Sequence, residues 1–180
     1  MPPHDSPTDF ELMNEIKAGS EDAFVEMVHR HQPPLLNFFR RMGVNRDEAE
    51  ELVQETFLRL FKYRRRYEPS AKFTTWLYRL ARSALVDRIR RKTREFSDRG
   101  RFGEDAADPL DFSRIVERKM DCQAALNTLS EKLKSVVVLN IYQGFTYREI
   151  AEILDIPTGT VKSRMFFALR KLKERFYDNP

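Results

Sequence analysis

Cysteine is almost missing from this chain. Cys122 stands alone, which excludes an internal disulfide and any multi-cysteine zinc centre. It falls on an apolar stripe and reads as a small buried hydrophobe. Histidine is nearly as scarce: His4, His29 and His31 are the only ones. The last two stand two apart, a spacing that keeps them off a common helical face. No carboxylate motif or glycine-rich phosphate loop frames them, so no metal, cofactor or catalytic residue is assigned and no enzyme is expected. No apolar run approaches the roughly 18 residues of a membrane span. The first residues lack a basic stretch followed by an apolar one, so no signal peptide is expected either. Glycine contributes only 6 of 180 residues, and β-branched runs are rare, which argues against sheet. The expectation is an all-α protein in a reducing, cytoplasmic setting.

What the chain has instead is charge, at 33% of its residues, with a net charge of only +4. So modest a total says little, and its distribution has to decide. After a proline-bearing tail at 1–9, helical periodicity runs over 10–93. Phe10, Met13 and Ile16 form a first stripe, and Ala23, Phe24, Met27 and Val28 a second. Pro33-Pro34 is expected to break or kink the chain. Asn45 then starts a helix with Glu48 in capping-box position. Its stripe is Ala49, Leu52, Val53, Thr56, Phe57, Leu60 and Phe61. Phe73, Trp76, Leu77, Leu80, Ala81, Ala84, Leu85 and Ile89 repeat that spacing. The reading is a four-helix lobe with the last helix central to its core.

Residues 94–118, with two glycines, a proline and several acids, read as a flexible linker. A second helical lobe spans 119–177, and 178–180 form a tail. Within it, Cys122, Ala125, Leu126 and Leu129 precede Leu133, Val136, Val137 and Ile141. Thr146-Tyr147-Arg148-Glu149 is a capping box opening a helix over Tyr147–Leu154. Asp155-Ile156-Pro157 is a tight connector. Thr158 is placed to cap a helix whose inner face is Val161, Met165, Ala168, Leu169, Leu172 and Phe176. This is the pattern of a helix-turn-helix. Its second helix offers Lys162, Ser163 and Arg164 to base edges and phosphates in a major groove. Thr158 and Thr160 stand where backbone N–H groups grip a phosphate. Arg170, Lys171 and Lys173 lie further along, toward the DNA backbone. Phe166 and Phe167 either meet thymine methyls or cover the lobe's own core.

In the first lobe the charges separate. Between Asn45 and Glu55, Asp47, Glu48, Glu50, Glu51 and Glu55 stand against Arg46 alone. Residues 62–94 carry twelve basic residues against Glu68 and Asp87, with Tyr63, Tyr67, Phe73, Trp76 and Tyr78 interleaved. Basic residues among aromatics suit single-stranded nucleic acid. Phe73 and Trp76 lie on the apolar stripe and read as core, whereas Tyr67 and its loop read as binding surface. The acidic helix reads equally as a solvated face or as a dock for a basic partner.

Three segments together resemble the extracytoplasmic-function sigma factors of the sigma-70 family, over roughly residues 10–177. Asp47-Glu48-Ala49-Glu50-Glu51-Leu52-Val53-Gln54-Glu55-Thr56-Phe57-Leu58-Arg59-Leu60 looks like the family's polymerase-binding helix. Phe73-Thr74-Thr75-Trp76-Leu77-Tyr78-Arg79-Leu80-Ala81-Arg82 with Asp87-Arg88-Ile89-Arg90-Arg91 looks like its promoter-melting, −10-reading helix. Tyr147 to Leu154 and Gly159 to Arg164 resemble its −35-reading motif. The resemblance implies a protein that gives core RNA polymerase its promoter specificity. Asp47, Glu48, Glu51, Gln54 and Glu55 would meet the clamp coiled coil of the largest subunit, and the flap of the second subunit is a further expected contact. Tyr67, Ser70, Lys72, Trp76, Arg79, Arg82, Arg88, Arg90 and Arg91 would serve the −10 element. The loop from Tyr67 to Lys72 would hold a flipped base, whose unstacking cost the pocket must return. Thr158, Thr160, Lys162, Ser163, Arg164, Phe167, Arg170 and Lys171 would serve the −35 duplex. The resemblance also implies an anti-sigma partner and a monomer outside the holoenzyme. It departs at Phe167, where related proteins often offer a further arginine to DNA. The alternative is a stand-alone dimeric helix-turn-helix regulator, which accounts for the second lobe but not for the charge separation in the first.

Overall fold

The computed structural model describes residues 6–69, 72–99 and 122–177, and its regular structure there is helical throughout. Helix α1 (Asp9–Ala18) begins under a reciprocal cap. The Glu11 N–H donates to the Thr8 hydroxyl oxygen at 3.3 Å, and the Thr8 N–H donates to the Glu11 carboxylate at 2.7 Å. Gly19, at φ 101°, ends it in the left-handed region that glycine enters without penalty. The inner face is Leu12, Met13 and Ile16, and the expected Phe10 is 46% exposed. Leu12 and Ile16 lie one helical turn apart with Met13 beside them, and Phe10 falls off that face.

Helix α2 (Glu21–Arg41), capped by Ser20, runs unbroken through Pro33 and Pro34. The expected break does not occur. Each proline removes a ladder donor, but Met27, His31, Leu35, Phe38 and Phe39 are all buried along the helix, and packing on both sides of the prolines holds the rod together.

Helix α3 (Arg46–Tyr63) starts where the Glu48 N–H donates to the Asn45 side-chain oxygen at 2.9 Å. Its stripe from Ala49 to Leu60 is buried. Phe61, expected to complete it, is 45% exposed. It rests edge-on against Phe24 at 5.6 Å under the Arg64 guanidinium at 4.0 Å. A 3-10 turn, Arg64–Arg66, leads toward α4 (Phe73–Arg99). That helix passes the expected end at Thr93 and continues into the expected linker, whose remainder lies outside the described residues. Ile89, assigned to the α4 core, is 40% exposed.

In the second lobe, α5 (described over 122–127) leads to α6 (Glu131–Val137), which passes directly into a π turn, Val138–Tyr142. Cys122 is exposed, contrary to expectation. The inner positions are Ala125, Leu126 and Leu129, and Cys122 stands a turn before them. The π turn carries one residue more than an α turn. It keeps Val138 and Leu139 inside and leaves the expected core residue Ile141 57% exposed. Helices α7 (Tyr147–Leu154) and α8 (Thr158–Tyr177) follow. Leu169, assigned to the inner face of α8, lies at its edge and is half exposed. The side chain of Phe176 lies outside the described residues.

One apolar core runs through both lobes. Helix α4 packs on α3 with one face and on α7 with another. Leu77, in the second turn of α4, is fully buried, whereas Leu58 on α3 is exposed. Leu77→Ala is expected to cost about 2–5 kcal/mol in urea unfolding and Leu58→Ala less than about 0.5 kcal/mol. Equal losses would contradict the placement of the core.

Candidate nucleic-acid interface

The seam between the lobes is built from both charge and apolar packing. The Tyr78 ring is buried between Phe38 at 5.3 Å and Phe145 at 4.9 Å, and its hydroxyl donates to the Gln143 side-chain oxygen at 2.6 Å. Burial pushes the Tyr78 phenol well above its ordinary pKa. At the far end of α2, the Arg41 guanidinium lies 4.5 Å from the Tyr142 ring. The Gln123 amide donates to the Arg41 carbonyl at 3.3 Å. The Lys134 ammonium is buried beside them and donates to the Asn127 side-chain oxygen at 3.1 Å and, more weakly, to the Met42 carbonyl at 3.5 Å. That burial lowers its pKa, with Glu131 acting in the opposite direction.

Between α4 and α7 lies a cleft of about 440 Å³ lined by Arg66, Glu68, Thr75, Trp76, Arg79, Leu80 and Glu152. Of the residues expected to serve single-stranded DNA, Trp76 and Arg79 are brought together here. Tyr67 forms the layer beneath them. Its ring is buried against Trp76 at 5.2 Å and Phe73 at 5.8 Å, and its carbonyl accepts from Lys17 at 2.8 Å. The expected open binding face of Tyr67 is therefore turned inward in this structure. Lys72 is exposed and pairs with Glu149 of α7 at 2.8 Å. Arg82 is half-buried, and Arg90 and Arg91 are exposed. Ser70 lies outside the described residues.

Arg88 goes elsewhere. It reaches α3 and pairs with Glu48 and Glu51, each at 3.2 Å, while Lys92 also pairs with Glu48. Burial favours the neutral acid at Glu48, but bonds from Lys92 and Arg88 hold its pKa below the ordinary value. Glu55 is tied to Arg59 at 2.7 Å, and Arg59 also holds Asp87 at 3.0 Å. The acidic face of α3 is thus partly neutralised from within, and Asp47, Glu50, Glu51 and Gln54 are its exposed members. Sequence reasoning missed Arg59 and Arg66. Arg59 follows Glu55 by four residues, a spacing that signals a helical ion pair; nothing comparable marks Arg66.

The helix-turn-helix closes by local chemistry. The Glu149 N–H donates to the Thr146 hydroxyl oxygen at 3.3 Å, and the Thr146 N–H donates to Glu149 Oε2 at 2.8 Å. Asp155, at φ 52°, takes the left-handed turn, and the Ile156 N–H donates to the Ala151 carbonyl at 3.1 Å. Thr158 is the first residue of α8 rather than its cap. Val161, Met165 and Ala168 are buried, which turns Lys162, Ser163, Phe167, Arg170 and Lys171 outward, with Thr160 and Arg164 half-buried beside them.

Comparison with known proteins agrees with this geometry. The model of sigma-70 region 2 matches residues 27–95, and that of sigma-70 region 4 matches residues 119–172. A helical lobe carrying the first and a helix-turn-helix carrying the second define an RNA polymerase sigma factor, which directs transcription initiation. The chain belongs to the extracytoplasmic-function family of these factors. It is 30% identical to the ECF sigma factor SigW of Bacillus subtilis, over 92% of this chain and 95% of that one. It is 32% identical to the sigma factor CarQ of Myxococcus xanthus, over 90% and 94%. Among solved structures it resembles the sigma factor RpoE of Bartonella quintana, in complex with the anti-sigma factor NepR. There the TM-score is 0.74 and the identity 28%, over 87% of this chain and 98% of that one.

Glu149 joins both halves of this interface, and its bond to Lys72, with those from Thr146, holds its pKa down at about 2. The stability it contributes is complete above its ordinary value of 4.5 and disappears as pH falls toward about 2. Glu149→Gln should flatten the stability profile in that window, measured by denaturant unfolding at stepped pH. An unchanged slope would mean the bridge is not populated in solution.

Proposed function

We infer that residues 10–93 dock on core polymerase and open the −10 region, that 119–177 read the −35 duplex, and that 94–118 connect them. The observation that carries this reading is the outward face of α8. Between Thr160 and Lys171 it presents Lys162, Ser163, Arg170 and Lys171 around the exposed rings of Phe166 and Phe167, while its opposite face is buried in the lobe. Lys162, Ser163 and Arg164 reach base edges and phosphates, Thr158 and Thr160 stand over the helix start, and Arg170 and Lys171 follow the backbone. In the first lobe Lys72, Trp76, Arg79, Arg82, Arg90 and Arg91 guide the melted strand over the Tyr67 layer. Asp47, Glu51, Gln54 and Glu55 meet the polymerase clamp, with Glu48 serving to anchor Arg88 and Lys92. The protein catalyses no reaction itself, works in the cytoplasm, and takes an anti-sigma factor as its regulatory partner. No helix among the described residues is long and apolar enough to cross a membrane.

The closed lobes explain why such a factor needs polymerase. Glu149 and Glu152 of α7 lie against the Lys72, Trp76 and Arg79 surface, so a promoter strand and α7 compete for one face. Core polymerase, by holding the lobes apart, uncovers it.

The test is transcription with core polymerase on a library of random promoters. Dependence on the protein, with enriched motifs at two spaced positions, supports the reading. Duplex binding by the protein alone, with no core binding, supports the dimeric regulator. Lys162→Ala with Arg164→Ala should lower promoter use about tenfold or more and spare polymerase binding. Glu51→Lys with Glu55→Lys should instead weaken association with core polymerase in a gel-shift or fluorescence titration. Unaltered association would remove the docking assignment.

A further inference from the structure

An aromatic ring on the outer face of α8 has no core to fill. Phe167 is 45% exposed. Along the helix it follows Thr160, Ser163 and Arg164 by seven, four and three residues, and Lys171 comes four residues later. These spacings put all five on one face, opposite the buried Met165 and Ala168. The ring does not hang free. The Arg170 guanidinium lies 5.2 Å from its centroid, and the edge-to-face neighbour Phe166 stands 5.6 Å away at 75°. Both contacts favour one ring orientation and leave the remainder of the ring facing out among side chains that suit phosphates and base edges.

A phenyl ring can donate or accept no conventional hydrogen bond, so it gains nothing from guanine O6 and N7 or from the amino groups of adenine and cytosine. The apolar feature that the major groove presents is the C5-methyl group of thymine. We propose that Phe167 is a specificity-determining residue that reads a thymine methyl in the −35 duplex, with Arg170 and Phe166 holding its ring in place. The proposal rests on α8 being the −35 helix and adds the base chemistry it selects. A ring at this position rewards thymine, or 5-methylcytosine, and is indifferent to the hydrogen-bonding pattern beneath.

The experiment uses the full chain with core polymerase. The −35 sequence is first selected from a library, and each thymine in it is then replaced singly by deoxyuridine, which keeps the base pair and deletes only the methyl. At one position the wild-type holoenzyme should lose about fourfold in promoter occupancy, the worth of one buried methyl. Phe167→Ala should lose a similar factor on the thymine template and show no further loss with deoxyuridine. Phe167→Leu, which retains an apolar side chain, should keep part of the discrimination. Phe167→Arg should shift the selected base toward guanine.

Equal use of thymine and deoxyuridine by the wild type at every position would overturn the proposal, as would discrimination that survives Phe167→Ala. If Phe167→Ala weakens core binding without touching the deoxyuridine effect, the ring is a protein contact and the proposal fails. The underlying reading is scored separately. Loss of occupancy with Arg164→Ala keeps α8 on the DNA even when Phe167 is silent, whereas silence of both removes α8 from the DNA.

Discussion

Everything else in this structure is arranged around the requirement that helix α4 pack on two sides at once. It gives Leu77, Ala81, Ala84 and Leu85 to the core, and Tyr78 to a seam that the second lobe covers with Phe145 and Gln143. The remaining surface is left to arginine. A helix with so much positive charge stays folded because its apolar residues bury two faces and because acids from neighbouring helices meet its cations. Arg88 and Lys92 meet Glu48 of α3, and Lys72 just ahead of the helix meets Glu149 of α7.

This arrangement changes the meaning of the charge separation. Seen as composition, the acidic and basic stretches are two interfaces waiting for partners of opposite sign. In the fold they partly satisfy each other, so on the proposed function each partner has to displace or share an internal counter-charge. These pairs are half-buried to exposed, and ion pairs that near solvent are individually weak. The buried Tyr78 seam contributes the more durable part of the closure.

Much of this was legible in the sequence, and the exceptions have physical causes. The helix over Tyr147–Leu154 was readable to the residue because the Thr146 and Glu149 cap, the αL Asp155 and the proline behind it are all local signals. Of the break or kink expected at Pro33-Pro34, the break does not occur because tertiary burial on either side outweighs a local rule. Phe10, Phe61, Ile89 and Leu169 were assigned to the core by periodicity and sit at stripe edges where a fraction of a turn decides between inside and out, whereas Ile141 is turned outward by the π turn. Cys122 keeps the right face but stands a turn before the buried Ala125, Leu126 and Leu129. At the candidate site, the outward residues of α8 followed from its inner stripe. The inward turn of Tyr67 and the diversion of Arg88 to α3 depend on which helices neighbour them, and no spacing within one segment encodes that. The contacts between Tyr78 and Gln143, and between Lys72 and Glu149, span 65 and 77 positions and could not be read from either lobe alone.

The π turn has a consequence for how this chain tolerates change. Between Val138 and Tyr142 the backbone holds an extra residue, and the Gln143 N–H reaches back to the Val138 carbonyl at 3.2 Å. Removing one residue there would let α6 rewind as an ordinary helix, and each residue in a helix turns the chain by about 100°. Tyr142 and Gln143 would then face away from Arg41 and Tyr78. A codon deletion in this stretch is thus far more damaging than most substitutions within it. An inserted residue of this kind is also a plain route by which a straight helix acquires a second face, and two lobes acquire a way to close.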